Sequence, residues 1–307
     1  MEGLVYKSTG SWYQVHIAAQ GMVPARIKGR MKVDKSISST NPVAVGDKVQ
    51  IEKDPQQEDW MITHILDREN YIARVSPHNR HQKHIVASNL DLAVMIATIA
   101  HPATSLGFID RFLVTAEAYH IPTLIAFNKT DLLNDEGTGM LDYLSQVYTD
   151  AGYDVLPVSA VDGSGMNELR AALAGKTALF SGHSGVGKST LINELVPDLN
   201  LRTDVISDYS GKGQHTTTFA EMFDLPGGGH IIDTPGVKEF GIIDMEQDEL
   251  AGYFPEMRRL MHACKFNNCQ HINEPGCAVK HGLETHEVSP ERYISYQSIR
   301  ESIEKQW

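Results

Sequence analysis

The sequence predicts an α/β fold, a doubly wound and mostly parallel sheet, flanked by a small N-terminal β-barrel and a C-terminal α-helical domain organised by a metal ion. Three observations predict it. Between residues 89 and 243, short apolar runs alternate with stretches of helical length and pattern, the signature of strand–helix–strand units. Inside that region, Thr177-Ala178-Leu179-Phe180-Ser181 leads into Gly182-His183-Ser184-Gly185-Val186-Gly187-Lys188-Ser189. With Thr190-Leu191-Ile192-Asn193-Glu194-Leu195 following, this reads as strand, glycine-rich loop and helix. Near the C-terminus, all three cysteines of the chain gather with one histidine.

A chain of 307 residues, 41% hydrophobic and 21% charged, has apolar residues enough for two or three cores, since one core rarely grows past ~250–300 residues. No run of 18 apolar residues is present, and Met1-Glu2-Gly3-Leu4 opens no signal peptide. A cytoplasmic protein without membrane association is expected. The net charge of −12 argues against attraction of nucleic acid to the whole surface. The charge is uneven: residues 1–85 carry 12 Lys/Arg against 9 Asp/Glu, net +3, and the remainder carries 15 against 30, net −15. Affinity for a polyanion is therefore expected on the N-terminal part, alongside His78, His81 and His84, although a simply solvated surface accounts for the same charges.

Residues 1–70 are expected to form the barrel. Leu4-Val5-Tyr6, Trp12 to Ile17, Ala25-Arg26-Ile27, Lys48 to Ile51 and Trp60 to Ile65 are short alternating runs, separated by turn signals at Gly10-Ser11, Asn41-Pro42, Gly46-Asp47 and Asp54-Pro55. Five such strands suggest an OB-fold, a scaffold that binds single strands on a basic, aromatic face. Trp12, Tyr13, Arg26, Lys28, Arg30 and Lys32 are candidates for that face; Trp12 and Tyr13 read equally well as one surface and one core residue. Residues 71–88, with Ser76-Pro77-His78-Asn79-Arg80-His81-Gln82-Lys83-His84, read as a polar linker. The α/β part, 89–243, begins with the buried run Leu90 to Ile99. It continues with a helix from about Gly107 to Tyr119, the strand Thr123 to Phe127, a helix around 139–151, the strand Val155 to Val158 and a helix around 166–173. In residues 244–307, helical patterns run from Gln247 to Ala263 and from Ser289 to Glu304, the second with Ser289-Pro290-Glu291 as its start signal.

Ligands of such sheets bind at the carboxyl ends of the strands, and the chemistry-bearing residues fall there. In the loop 182–189 the glycines let backbone N–H groups turn around phosphate oxygens, with His183, Ser184 and Val186 between them. Lys188 suits the β- and γ-phosphates, Ser189 offers a hydroxyl to Mg²⁺, and the helix through Thr190 adds its N-terminal partial charge. Asn128-Lys129-Thr130-Asp131 follows a buried strand directly. A carboxylate at Asp131 can accept from the N1–H and the 2-amino group of guanine, a pair that adenine lacks. Asn128 would tie neighbouring loops, the Lys129 stem would cover the base, and Ser159-Ala160, after the next strand, would complete the pocket through backbone contacts. Gly211-Lys212-Gly213-Gln214-His215-Thr216-Thr217-Thr218 suits a loop ordered by a γ-phosphate, with one threonine, taken as Thr217, on Mg²⁺; a flexible connection before the strand Phe219 to Phe223 is the plainer reading. His230-Ile231-Ile232-Asp233-Thr234-Pro235-Gly236 supplies a strand and D-x-x-G, in which Asp233 would hold Mg²⁺ through water and the Gly236 amide would sense the γ-phosphate.

The C-terminal cluster is Cys264-x₄-Cys269-x-His271-x₅-Cys277. Three thiolates and one imidazole within 14 residues suit a closed tetrahedral Zn²⁺ site, one per chain, that is structural because no position is open for chemistry. An odd number of cysteines in such a chain argues against a disulfide framework.

These motifs resemble the GTPase set, but in a permuted order: Asn128 to Asp131 and Ser159-Ala160 precede the 182–189 loop, and Asp233 to Gly236 follow it. With the barrel and the Cys/His cluster, the chain resembles the RsgA (YjeQ/YloQ) family of circularly permuted GTPases over nearly its whole length. The resemblance implies a circularly permuted P-loop GTPase domain between an OB-fold and a helical zinc domain. It also implies GTP hydrolysis stimulated by the small ribosomal subunit and its rRNA, release of assembly factors, and zinc at the C-terminal cluster; a monomer is expected. It points to His215, with Lys188, as catalytic. Gln214 stands where the family often has Arg, and Val237 follows Gly236 where Ras-like enzymes carry the glutamine that orients water. A GTP-gated RNA-binding scaffold without a role for turnover is the rival reading. A P-loop kinase fits poorly, having no use for Asp131 and Asp233 together.

Overall fold

The computed structural model describes residues 1–28, 42–54, 59–75, 83–197, 199, 201, 220–234 and 245–304. Five strands, β1 (Glu2–Ser8), β2 (Tyr13–Ile17), β3 (Gly21–Ile27), β4 (Lys48–Lys53) and β5 (Trp60–Ile65), pair in the order β1-β2-β3-β5-β4. A further pairing of β4 with β1 closes the barrel. β1 pairs with β4 over Glu2 to Leu4 and with β2 over Leu4 to Ser8, with a register shift between Val5 and Lys7 in the second pairing. Inward residues alternate along each strand, and Val5, Val15, Ile17, Val49, Ile51 and Ile62 fill the centre. Tyr13 belongs to that core at 1% exposure, whereas Trp12 is 44% exposed under the Arg26 guanidinium, 5.7 Å from its ring. The aromatic pair is thus one core and one surface residue. Arg30, Lys32, His78 and His81 lie outside the described residues.

In the stretch expected as a linker, the described residues 71–75 and 83–88 are strands. β6 (Tyr71–Val75) and β7 (Lys83–Ser88) pair as an antiparallel ribbon, because apolar residues flank the polar tract: Ile72, Ile85, Val86 and Ala87 are buried. The ribbon and the barrel meet at Asp47, whose buried carboxylate accepts from Arg68 Nε and Nη2, both at 2.7 Å, from Ser88 Oγ at 2.6 Å and from the Ala44 N–H at 2.8 Å.

The central sheet is built from β8 (Leu92–Ala97), α1 (Leu106–Ala118), β9 (Thr123–Phe127), α2 (Asp135–Ala151), β10 (Asp154–Pro157), α3 (Met166–Leu173), β11 (Thr177–Ser181), α4 (Lys188–Leu195), β12 (Glu221–Asp224) and β13 (His230–Asp233). Its order is β10-β9-β8-β11-β13-β12, parallel except for β12. Every residue of β8 is buried, as a strand covered on both faces requires. α2 begins four residues before its expected start, since Asn134 caps it by accepting the Gly137 N–H at 2.9 Å, with Asp135 and Glu136 in the first turn. Among the described residues, the barrel joins the sheet edge through one backbone bridge, Lys7 to Glu221, reinforced by their 2.7 Å ion pair and by Tyr6 Oη donating to Asp224 at 2.6 Å.

The C-terminal lobe holds α5 (Pro255–Leu260), α6 (Ala278–Glu284) and α7 (Pro290–Glu304). The helix expected over 247–263 is broken into a 3₁₀ turn at Leu250–Tyr253, α5, and a second 3₁₀ turn at Met261–Ala263. Pro255 is the cause: it takes the first position of α5 and holds Phe254 in extended backbone. This lobe shares its core with α1 through Val114. The joint is ionic as well. Arg292, 1% exposed, donates to Asp110 Oδ1 at 2.6 Å and to Glu256 Oε1 and Oε2 at 2.8 and 3.2 Å, with the Phe254 ring 4.6 Å from the guanidinium. Burial opposes its charge, but Asp110 and Glu256 hold its pKa well above the usual arginine value. Removing one member of such a buried group leaves the others uncompensated. Arg292→Ala is therefore expected to lower stability by about 3–5 kcal/mol, read as a fall in the urea midpoint by circular dichroism.

Candidate functional site

Four strand ends meet at one edge of the sheet, with β9, β8, β11 and β13 lying side by side. The 182–189 loop leaves β11 there. A Cβ on Gly182 would lie 2.6 Å from Ile96 O, and Gly187 combines φ +87° with an ideal Cβ 2.5 Å from Asn128 Nδ2, so both glycines are required by close approach. α4 opens at Lys188, and Ser189 and Thr190 occupy its first turn. Lys188 Nζ pairs with Asp233 Oδ1, which β13 delivers beside Phe180 in parallel register. Thr234 Oγ1 donates to Phe180 O at 3.1 Å and anchors the start of D-x-x-G. Cation and carboxylate therefore meet beside the first turn of α4, which carries Ser189.

Three successive carbonyls of the loop are drawn outward by side chains. Ser184 O faces His183 Nδ1 at 2.9 Å, Gly185 O accepts from Lys129 Nζ at 2.6 Å, and Val186 O accepts from Asn128 Nδ2 at 2.8 Å. Asn128 thus ties the loops as expected. Lys129, expected to cover a base, has left-handed backbone (φ +65°), and its ammonium also donates to His101 O at 2.5 Å. Burial lowers the Lys129 pKa, and Asp131 nearby opposes that shift. Thr130 Oγ1 donates to Val158 O at 3.2 Å. Asp131 is exposed, with Oδ1 accepting from the buried Ser159 Oγ at 2.6 Å. Ser159 thus reaches Asp131 through its hydroxyl, a contact beyond the backbone role expected of it. Ala160 follows at the same loop.

The sequence also held no signal for the brace behind the loop. Thr98 and Thr104, on either side of His101-Pro102, hydrogen-bond each other, and Thr104 Oγ1 meets His183 Nε2 at 2.8 Å. The loop 211–218 with His215 and Thr217, and Gly236, lie outside the described residues.

At the C-terminal cluster, the ligand atoms of Cys264, Cys269, His271 and Cys277 all lie within 4.8 Å of one another. His271 Nδ1 is 3.6 Å from Cys264 Sγ and 3.4 Å from Cys277 Sγ, close to the roughly 3.5–3.8 Å edges of a tetrahedron with metal–ligand bonds of about 2.0–2.3 Å. The Ala278 and Lys280 N–H groups donate to Cys264 and Cys277 sulfurs at 3.3 and 3.4 Å. Tyr293 and Tyr296 hydroxyls hold His271 O and Gln270 O at 2.6 and 2.8 Å. Burial pushes the Cys269 thiol up to about 12 and the His271 imidazole down. Neutral imidazole is the ligand form, and thiolates this close together need a cation, so the donor set fits a metal ion. One metal ion per chain is expected by elemental analysis. Cys269→Ser should remove it and lower the melting temperature while leaving nucleotide affinity unchanged, because the two sites lie in separate cores.

Comparison with known proteins agrees with this architecture. Residues 2–61 match the family model of the RsgA N-terminal domain, and residues 65–243 match that of the RsgA GTPase. The small ribosomal subunit biogenesis GTPase RsgA of Flavobacterium psychrophilum is 52% identical over 306 residues, 98% of this chain and 93% of that protein. Its namesake in Bacteroides fragilis is 51% identical over 305 residues, covering 99% and 98%. Among solved structures, YjeQ from Thermotoga maritima superposes with a TM-score of 0.78 at 29% identity, covering 98% of this chain and 97% of that one. YloQ, described as a circularly permuted GTPase, gives 0.75 at 28%, covering 100% and 96%. The permuted motif order, the closed barrel, the Cys/His lobe and these end-to-end likenesses have one reading: the chain belongs to the RsgA family of circularly permuted GTPases and is a GTP-hydrolysing ribosome-biogenesis factor.

Proposed function

We propose that this GTPase acts on the small ribosomal subunit, coupling GTP hydrolysis to its late assembly and the release of assembly factors. The observation that best supports the reading is the convergence, at one sheet edge, of Asp131, the 182–189 loop and Asp233. The Asp131 carboxylate, steadied by Ser159, reads the guanine edge, with Asn128, Lys129, Thr130 and Ala160 around the base. Gly182 to Thr190 cradle the phosphates, and Lys188 neutralises charge as water attacks the γ-phosphoryl group in line. Ser189, Asp233 and Thr217 would hold Mg²⁺, whose charge aids that neutralisation when bound. His215 is assigned to orient the water and Gly236 to sense the γ-phosphate. Cys264, Cys269, His271 and Cys277 would hold one structural Zn²⁺, since three thiolates and an imidazole suit a four-coordinate site closed to water.

The barrel is the RNA face in this proposal. Exposed Trp12 with Arg26 above it provides a stacking surface, and Lys28, just past the end of β3, adds a second cation; Asp59 and Glu52 pair with the two. The protein works as a cytoplasmic monomer; among the described residues no helix is long and apolar enough to cross a membrane.

Two measurements test this. Asp131→Asn should weaken GTP binding by about 10- to 150-fold, the loss of a charge-assisted hydrogen bond of about 1.5–3 kcal/mol, and favour xanthosine triphosphate. Equal GTP affinity in both proteins rejects the base-reading role. Small-subunit affinity should be about 5- to 150-fold tighter with a non-hydrolysable GTP analogue than with GDP, and Trp12→Ala with Lys28→Ala should weaken it without altering nucleotide affinity. Co-sedimentation that is identical in the two nucleotide states rejects the coupling.

A further inference from the structure

We propose that His183 is a positioning residue for GTP hydrolysis, fixing the Ser184–Gly185 peptide so that the Gly185 N–H faces the phosphates. The inference rests on the nucleotide site described above. The ring makes two hydrogen bonds, and the chemistry of its partners assigns the protons. Ser184 O is a carbonyl and only accepts, so Nδ1, 2.9 Å away, carries the hydrogen. Nε2 lies 2.8 Å from Thr104 Oγ1. That hydroxyl already accepts the Thr98 N–H at 3.0 Å, while the Thr98 hydroxyl donates to Pro102 O at 2.5 Å and sits 3.4 Å from Thr104 Oγ1. The better acceptor for the Thr104 hydrogen is therefore Nε2. The ring thus donates from Nδ1 and accepts at Nε2, with the Phe108 ring edge-on at 5.8 Å between centroids.

In a trans peptide the C=O and the next N–H point in opposite directions. Holding Ser184 O on the outside of the loop turns the Gly185 N–H to the inside. The two following carbonyls, Gly185 O and Val186 O, are held outward in the same sense by Lys129 and Asn128. Those two anchors come from the base-reading motif. The third comes from His183, a variable position of G-x-x-x-x-G-K-S, and is seated by Thr104, which no motif includes. An inward amide on the phosphate chain acts most strongly when the leaving oxygen gains charge, so misplacing it should reduce kcat more than it raises KM.

Single-turnover and steady-state GTP hydrolysis, GDP affinity and melting temperature are measured for the full chain and for H183A, H183N and T104V, with D131N alongside as an independent report on the nucleotide site. Outright removal of one positioned donor costs about 100- to 1,000-fold elsewhere, so a misaligned one should cost H183A roughly tenfold in kcat, with KM and GDP affinity within about twofold. H183N keeps an N–H donor at the δ position and should recover kcat to within about threefold. T104V keeps the Nδ1 bond but frees the ring, and should fall between. Unchanged kcat in H183A overturns the proposal. So does an H183N as slow as H183A with the same loss of melting temperature, since that pattern belongs to a residue that only packs.

Discussion

A loop that holds phosphate through its backbone has to put its amides on one side, and its carbonyls then need partners on the other. No helix or sheet ladder supplies those partners, because the loop lies between the two. In this chain the partners are side chains: Asn128, 58 residues away, Lys129 and His183. Much of the site follows from that requirement. β9 must end beside the loop to deliver Asn128 and Lys129, Gly187 must lack a Cβ where Asn128 approaches, and the segment after β8 must fold back to seat His183. The tetrapeptide proposed to read a base also holds two carbonyls of the 182–189 loop.

The lobes around the sheet are fastened by buried charge rather than by apolar contact alone. Asp47 ties Arg68, after β5, and Ser88 of the ribbon to the barrel, and Arg292 between Asp110 and Glu256 locks the C-terminal helices to α1. Such groups contribute little net stability when complete and cost heavily when broken, so they specify a docking geometry more than they strengthen it. α1 has a particular place in this scheme. Its capping residue Ser105 follows Thr104, the partner of His183, and its second turn carries Asp110, the partner of Arg292. One rigid helix therefore touches both the phosphate loop and the lobe that carries the Cys/His cluster.

Permutation leaves the spatial site unchanged because a parallel sheet presents its carboxyl ends together whatever the chain order. What it changes is attachment. β12 lies antiparallel at the sheet edge, its Glu221 paired across to Asp233 on one side and bound by Lys7 of the barrel on the other. The acid that accompanies Lys188 is thus one strand removed from the barrel's own first strand.

The sequence by itself determined the α/β class, the glycine-rich loop with its strand and helix, the Asn128–Asp131 tetrapeptide at a strand end and the Cys/His cluster, since each is a local pattern in which spacing and residue chemistry suffice. It also implied a five-stranded barrel from alternation alone. Tertiary structure decided the rest. Trp12 and Tyr13 are indistinguishable by alternation until closure of the barrel puts one inside. Residues 71–88 looked like a linker because their polar centre outweighs the apolar ends that pair as β6 and β7. Ser159 and Thr104 are ordinary hydroxyls in any window of sequence; one supports Asp131 across 28 residues and the other His183 across 79. Arg292 reads as a surface charge on a helix, and only the meeting of α7, α1 and α5 buries it between two carboxylates. A hydrogen bond or ion pair between distant segments leaves no periodic trace in either segment, so these positions become visible only when the fold brings the partners together.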